Sequence, residues 1–389
     1  MYCTLDTANK REINMPTANP FYHGNYTTDC PKQTIQRLSE NQGIAYFDYA
    51  AHHPMTREVK KTIEEYLKSD FGNPSSNHTL GKVARDVVEE ARDKILKIIG
   101  GDGKGQLIFT SGGTEANNIV MNGGTDGKIV IGAFEHASVR HASVGRSIRY
   151  NDIKDLLKDE VISGADLLSV SCVNNVLGSF IHPNEMPSDI EVLTHMDMCQ
   201  AFGKVCGIKV YDLDYATISG HKIGAPTGIG ALYVSNRAML KLQPLMFGGG
   251  HEFARRPGTL PVMQILALLT AFEHLPNEAT ANEMSVMSQM ILGEVKAAGG
   301  HLNVLGDLHS INTILSVTFP TATCNVQEHF AKRGVCLTSG SACRSSKVSP
   351  VMEDLGIDQE KTVRISFGRY TTTTDFILLR DAIHALPRG

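Results

Sequence analysis

Four stretches of this chain place chemically capable side chains where small or polar neighbours would leave them usable. Lys222 sits in Ser219-Gly-His-Lys-Ile-Gly224, directly after an extended segment. An amine held near a low-dielectric site can form a Schiff base with an aldehyde cofactor, although a lone lysine is ordinarily a surface lysine. Asp197, in His195-Met-Asp-Met-Cys-Gln200, ends an apolar run. One carboxylate there suits a pyridinium nitrogen; a helix cap or an ion pair is the plainer use. Thr110-Ser-Gly-Gly-Thr-Glu115 joins a strand to a helix, where glycines admit a ligand and the helix start offers N–H groups to a phosphate. A simple connection has the same composition, and the Gly-Lys-Ser/Thr ending of a P-loop is absent. Finally, Thr338-Ser-Gly-Ser-Ala-Cys-Arg-Ser-Ser346 puts the thiol of Cys343 in a small, polar, loop-like run, open to solvent and substrate as an apolar-strand cysteine is not. A free surface cysteine is the plain alternative.

The elements that must position these groups follow from periodicity. Thr56 can cap a helix carrying Val59, Ile63, Tyr66 and Leu67. Val83, Val87, Ala91, Ile95 and Ile98 mark a second helix, stopped by Gly100-Gly101. Strands are expected at 106–110, 128–131, 167–171, 215–218 and 229–234, with helices at 115–121 and 189–195. Such alternation indicates an α/β unit with a mostly parallel sheet. After about residue 275 the pattern restarts, with a helical stripe at Met284, Met287, Ile291 and Val295 and a strand from Ile314 to Phe319. Residues 1–43 read as a polar arm ending in a short helix around Gln33 to Ser39.

The chain has 389 residues, 42% of them hydrophobic and 20% charged, and a formal charge of -4. That composition is globular and excludes disorder or a collagen-like repeat for the whole chain. The near-neutral balance gives no electrostatic footprint for nucleic acid, and no apolar run reaches the roughly 18 residues of a membrane span. Eight cysteines, none in a Cys-x-x-Cys pair, support neither a zinc site of the usual spacing nor a disulfide framework; most are expected to be reduced and buried. The start lacks a basic and an apolar region and carries early acidic residues, so the expected location is the cytoplasm.

Taken in order, the motifs form a pattern. It runs through Tyr46-Phe-Asp-Tyr-Ala-Ala51, Phe71-Gly-Asn-Pro-Ser-Ser76, Thr110-Ser-Gly-Gly-Thr-Glu115, Glu135-His136, Val173-Asn-Asn175 and Asp197-x-x-Gln200. It continues with Ser219-Gly-His-Lys222, Gly248-Gly-Gly-His251, Arg256-Pro-Gly-Thr-Leu-Pro261, Ser339-Gly-Ser-Ala-Cys343 and Val363-Arg-Ile-Ser366. This closely resembles the cysteine desulfurases of the NifS/IscS type, in the class V branch of the fold-type I pyridoxal 5'-phosphate (PLP) enzymes, over roughly Tyr46 to Tyr370. The resemblance implies an α/β fold with a large PLP-binding domain on a mostly parallel seven-stranded sheet and a smaller C-terminal α/β domain. The implied boundaries are 1–55 for the arm and the start of the small domain, 56–275 for the large domain, and 276–389 for the small domain with the Cys343 loop.

The implied reaction converts L-cysteine to L-alanine and leaves a persulfide on Cys343 for a sulfur-acceptor protein. By motif, Lys222 is the Schiff-base lysine, Asp197 the ring-nitrogen partner, and His136 the stacking imidazole. Gln200 and Asn175 match polar contacts to ring hydroxyl and substrate. Gly113, Thr114, Ser219 and His221 match the phosphate cup, and Arg364 the arginine that holds the substrate carboxylate. Thr259 matches a threonine that reaches the partner subunit's phosphate, implying a homodimer with shared sites. The wording around Cys343 matches the group I desulfurases, and the other seven cysteines are read as structural. Three features depart from the family: the long arm, His52-His53 where small or hydroxyl residues are usual, and a short tail after Tyr370, which bears on scaffold docking. His52 and His53 either border the substrate site or are exposed turn residues. The rival readings are a selenocysteine lyase or cysteine-derivative β-lyase of the same branch, and a PLP-fold sulfur-relay scaffold without catalysis.

Overall fold

The computed structural model describes residues 43–69, 72–150, 156, 158–187, 191–306, 308–340 and 350–389. The helix expected around Gln33 to Ser39 and the Cys343 run lie outside them.

Within the unit Ile44–Gly389, strand β1 (Ala45–Tyr46) is followed by helix α1 (Arg57–Tyr66). Thr56 caps α1 as its position suggests, its side chain accepting from Val59 N–H. Helix α2 (Thr79–Ile99) ends at Gly100, whose left-handed φ of 76° closes the helix without the clash a Cβ would bring. Next come β2 (Gly105–Thr110), α3 (Gly113–Gly123), β3 (Ile129–Gly132), β4 (Ser147–Tyr150), β5 (Leu167–Ser171), β6 (Leu193–Asp197), β7 (Tyr215–Ser219) and β8 (Gly230–Ser235). These seven strands form one sheet in the order β2-β8-β7-β6-β5-β3-β4. The pairs β3·β4, β3·β5, β5·β6 and β6·β7 are parallel, and β8 runs antiparallel to both of its neighbours.

Both faces of this sheet are covered. Leu107 and Phe109 pack with α2 and with α4 (Val262–Glu273), while Ile108 between them packs on α3 through Ala116, Ile119 and Val120. The two-residue alternation of a strand thus feeds two cores at once. Each such side chain, fully buried, contributes about 1.5–3 kcal/mol. The same double burial explains a miss. A helix is expected at 189–195, yet Leu193–Asp197 is the central strand β6, and all five of its residues are buried. With Thr194, His195 and Asp197 buried alongside Leu193 and Met196, the strand shows no apolar–polar alternation, so periodicity cannot mark it as a strand.

Beyond α4, helix α5 (Glu278–Ala297) presents Met284, Ile291 and Val295 to a separate core. That core is shared with a three-stranded sheet, ordered β12-β10-β9, of β9 (His301–Leu302), β10 (Ile314–Thr318) and β12 (Thr362–Ser366), and with the terminal helix α6 (Thr373–His384). Strand β11 (Val335–Cys336) pairs in parallel with β1, which brings Ala45 and Phe47 from the other end of the chain into this core. The expectation that most cysteines are buried does not hold for the described ones: Cys172 is buried, but Cys206 and Cys336 are exposed and Cys199 and Cys324 lie between. Cys206 lies in a turn and Cys336 in a two-residue strand, elements too short to enclose their side chains.

Candidate active site

In a mostly parallel sheet the carboxyl ends of the strands open onto a common crevice. Here β2 leads into Ser111, and β6 and β7 end at Asp197 and Ser219, around a cavity of about 440 Å³. Its lining contains Gly113, Thr114, His136, Asn175, Asp197, Gln200, Ser219, His221, Lys222 and Arg364, all of them singled out by the motifs. Thr259 is not in the lining and is exposed.

Lys222 closes a short 3-10 turn after β7. Its Nζ donates to the carbonyls of Ala50 (2.5 Å) and Ala51 (2.7 Å). Burial, reinforced by the Arg364 guanidinium, pulls its ammonium down to about 8, so near neutral pH a useful fraction is the free amine. Lys204 donates to the backbone carbonyl of Lys222 at 3.2 Å, and burial with the Lys222 charge brings it to about 7.

Asp197 ends β6, and both its oxygens are held: Oδ1 accepts from Cys199 N–H at 3.0 Å and Oδ2 from Asn117 Nδ2 at 2.8 Å. His136 heads the short helix Ala137–Arg140, its Nδ1 2.7 Å from Ser138 Oγ. Burial holds this imidazole below its ordinary range despite the Asp197 carboxylate. On Gln200, Nε2 donates to Ala50 O at 2.8 Å, whereas Oε1 is buried without a partner.

The start of α3 makes an anion cradle. Gly112, its cap residue, has no side chain with which to satisfy the first N–H groups, and Ser219 Oγ and His221 Nδ1 stand 3.1 Å apart beside it. Close approach explains the glycines. A Cβ on Gly113 would lie 2.5 Å from Cys199 Sγ, and one on Gly230 would lie 2.6 Å from Gly112 Cα. Glu115 ties the loop down, accepting from Ser111 N–H (2.6 Å) and from Arg256 (2.7 Å). Across the cavity, Arg364 of β12 is 1% exposed, donating to Asp48 Oδ1 and to the Asn175 carbonyl, each at 2.7 Å. Its Nε has no partner.

An amine, a fixed carboxylate, a neutral imidazole, an uncapped helix start and three unsatisfied buried polar atoms (on Asn117, Gln200 and Arg364) in one cavity fit PLP and an amino acid. Of the two histidines unusual for the family, His53 is buried against Tyr49 and Tyr370. His52 is exposed, its ring stacked 5.7 Å from that of His221. Neither lines the cavity. Asp48, Asn117, Ser138 and Cys199 have site roles that no residue type announces. The one available signal is that Asn117 lies a helical turn beyond Gly113 on α3, hence on the same face.

Comparison with known proteins agrees with this geometry. The family model described as "Aminotransferase class-V" matches residues 45–379. "Cysteine desulfurase IscS" of Rickettsia typhi is 33% identical over 361 residues, covering 84% of this chain and 87% of the relative. The Rickettsia bellii protein of the same name is 34% identical at the same coverage. Among solved structures, a NifS-like protein from Rickettsia africae has a TM-score of 0.75 at 25% identity, covering 88% of this chain and all of that one. A structure described as SspA in complex with cysteine has a TM-score of 0.71 at 28% identity, covering 84% of this chain and all of that one. The chain therefore belongs to the class-V aminotransferase family, as a fold-type I PLP-dependent enzyme of the NifS/IscS desulfurase type.

Proposed function

We propose that this chain is a cysteine desulfurase, working in the cytoplasm as a homodimer, that converts L-cysteine to L-alanine and passes the sulfur through a persulfide on Cys343 to an acceptor protein. The observation that carries the proposal is the meeting of Lys222, Asp197, His136 and Arg364 in one cavity. Bound PLP supplies an electron sink that stabilises negative charge at the substrate Cα. Lys222 holds the cofactor and, once freed, takes the Cα proton, a task suited to an amine near 8. Asp197 would keep the ring nitrogen protonated, and His136 would hold the ring's face. The start of α3, with Ser219 and His221, would hold the phosphate. Arg364 binds the substrate carboxylate, its planar fork preset by Asp48 and the Asn175 carbonyl. The Cys343 thiolate then attacks the substrate sulfur. An S–S bond forms, the Cβ–S bond breaks with its electron pair left on carbon, and protonation of that carbon gives alanine.

The homodimer is supported by exposed apolar side chains in the stretch that precedes Thr259 in sequence. Leu240 and Phe247 are 84% and 89% exposed, and Phe253 is 45% exposed, exposure that favours a partner surface. Among the described residues no helix is long and apolar enough to cross a membrane.

Product analysis tests the reading. Purified protein given L-cysteine and a thiol acceptor should release alanine and accumulate labelled sulfur on Cys343, and Cys343→Ser should release almost none. Pyruvate and ammonia in place of alanine would establish a β-eliminating lyase. Turnover of selenocysteine alone would establish the selenium enzyme, and PLP binding without turnover a relay scaffold.

A further inference from the structure

A continuous chain of hydrogen bonds joins the imidazole assigned to the cofactor's face with the carboxylate assigned to its ring nitrogen. Asn117 Nδ2 lies 2.8 Å from Asp197 Oδ2 and 2.8 Å from Ser138 Oγ. Ser138 Oγ lies 2.7 Å from His136 Nδ1, which also accepts from Ser138 N–H at 3.2 Å. Chemistry fixes every direction. A carboxylate only accepts, so the amide must turn its NH2 toward Asp197; the flipped amide would set acceptor against acceptor. Nδ1 accepts from Ser138 N–H and so carries no proton, and the Ser138 hydroxyl hydrogen therefore points to it. His136 then carries its ring proton on Nε2.

One detail separates this bridge from ordinary packing. Asn117 is 1% exposed, and its Oδ1 is buried with no partner. An unsatisfied buried acceptor is a cost that an apolar side chain of similar size would not carry. The position retains an amide whose two donors are both used and whose acceptor is not, so the donors are what the site requires. The opposite oxygen, Asp197 Oδ1, is fixed by Cys199 N–H. The other ionisable groups that act on Asp197 are Lys222, Glu135, Cys199, Cys172, His195 and His136; of these, the bridge touches His136 alone.

We propose that Asn117 and Ser138 are positioning residues that lock His136 and Asp197 into one hydrogen-bonded unit, so that the group on the cofactor's face and the partner of its ring nitrogen keep a fixed relation. The proposal rests on PLP occupying the cavity. Removing the Asn117 donor takes one of the hydrogen bonds from the Asp197 carboxylate, which would then hold the ring proton more closely. The ring then withdraws less charge from the nitrogen that joins it to Lys222, which keeps its proton to higher pH.

The test is a pH titration of the visible absorption of PLP-loaded protein, for wild type, Asn117→Leu, Ser138→Ala and the double variant, with melting temperature and PLP stoichiometry measured alongside. Asn117→Leu should raise the midpoint by about 0.5–1 unit, the scale of one ordinary hydrogen bond. Ser138→Ala should move it the same way by less, and the double variant should match Asn117→Leu alone, since one chain broken twice is still one broken chain. Unmoved midpoints, or shifts that add, overturn the proposal. Should Asn117→Leu fail to fold, Ser138→Ala and Ser138→Thr decide. The threonine keeps the hydroxyl and should restore the wild-type midpoint; a threonine that behaves like alanine overturns the bridge. A wild-type protein that takes up no PLP overturns the cofactor reading and this proposal together, whereas normal PLP uptake with unmoved midpoints overturns the bridge alone.

Discussion

Lys222 shows how an ordinary residue type becomes a reactive one. Nothing in its own chemistry differs from that of any other lysine. Removal from water disfavours the ammonium, and the Arg364 guanidinium disfavours it further, which together bring it to about 8. The attacking species in cofactor capture is the free amine. Capture of PLP by the apo-protein should therefore speed up as pH rises through about 8 and level off above it, as followed by growth of visible absorption. Arg364→Gln removes a like charge and should move that midpoint upward. A midpoint that stays put would assign the shift to burial alone. Borohydride reduction and digestion should leave the pyridoxyl group on Lys222 and no other lysine, including the nearby Lys204.

At the scale of elements, the β2–α3 turn proposed to hold the phosphate depends on a segment far away in sequence. Glu252, Phe253 and Ala254 all have positive φ, between 48° and 58°. Each such non-glycine residue costs roughly 1–2 kcal/mol, so the turn persists only if something holds it. The hold is Glu252, 4% exposed, whose carboxylate accepts two bonds from Arg92 of α2, at 2.8 and 2.9 Å, and one from Phe109 N–H of β2. Four residues on, Arg256 grips Glu115 at the start of α3. This segment thus fixes both ends of the β2–α3 turn. Arg92→Leu leaves the Glu252 carboxylate buried without its cation and should cost about 3–5 kcal/mol of stability in chemical denaturation. It should also weaken PLP binding, because the turn it anchors carries the phosphate cradle. Lost stability with unchanged PLP affinity would reduce the ion pair to a plain structural role.

Two predictions belong to the molecule as a whole. If the exposed face around Leu240 and Phe247 is the dimer surface, then Leu240→Asp with Phe247→Asp should convert a dimer to a monomer in sedimentation, and PLP affinity should fall as Thr259 is withdrawn from the partner's phosphate. The second prediction concerns acid. Burial pushes His53, His195 and His221 each down to about 4, so between pH 6.5 and 4 the unfolded chain binds more protons there than the native one. Stability of the apo-protein should accordingly fall as pH drops through that window. Glu135 works the other way. Burial raises its carboxyl to about 8, so below that value the native state holds a proton that the unfolded state gives up down to about 4.5. Glu135→Gln removes this offset and should steepen the acid loss, as read from melting temperatures between pH 7 and 4.

How much was legible beforehand divides along physical lines. Glycine, lysine and carboxylate motifs can be read from sequence because each is a contiguous stretch at the junction of two elements, where local chemistry and chain direction suffice. Gly112-Gly113 ahead of α3, Asp197 at a strand end and Lys222 after β7 are all of this kind. The strand β6 was misread because burial on both faces erases the alternation that marks a strand. Asn117 and Ser138 are not announced by residue type because their roles exist only in hydrogen bonds between separate elements, 21 positions apart for Asn117–Ser138 and 80 for Asn117–Asp197. The pairing of Asp48 with Arg364 spans 316 positions and joins β12 to the segment after β1. Which groups can do chemistry is legible in residue type and local backbone, where reactivity begins. Which of them share a cavity, and what protonation they hold there, follows from the fold, because burial and charge at a few ångströms depend on neighbours that the fold brings together.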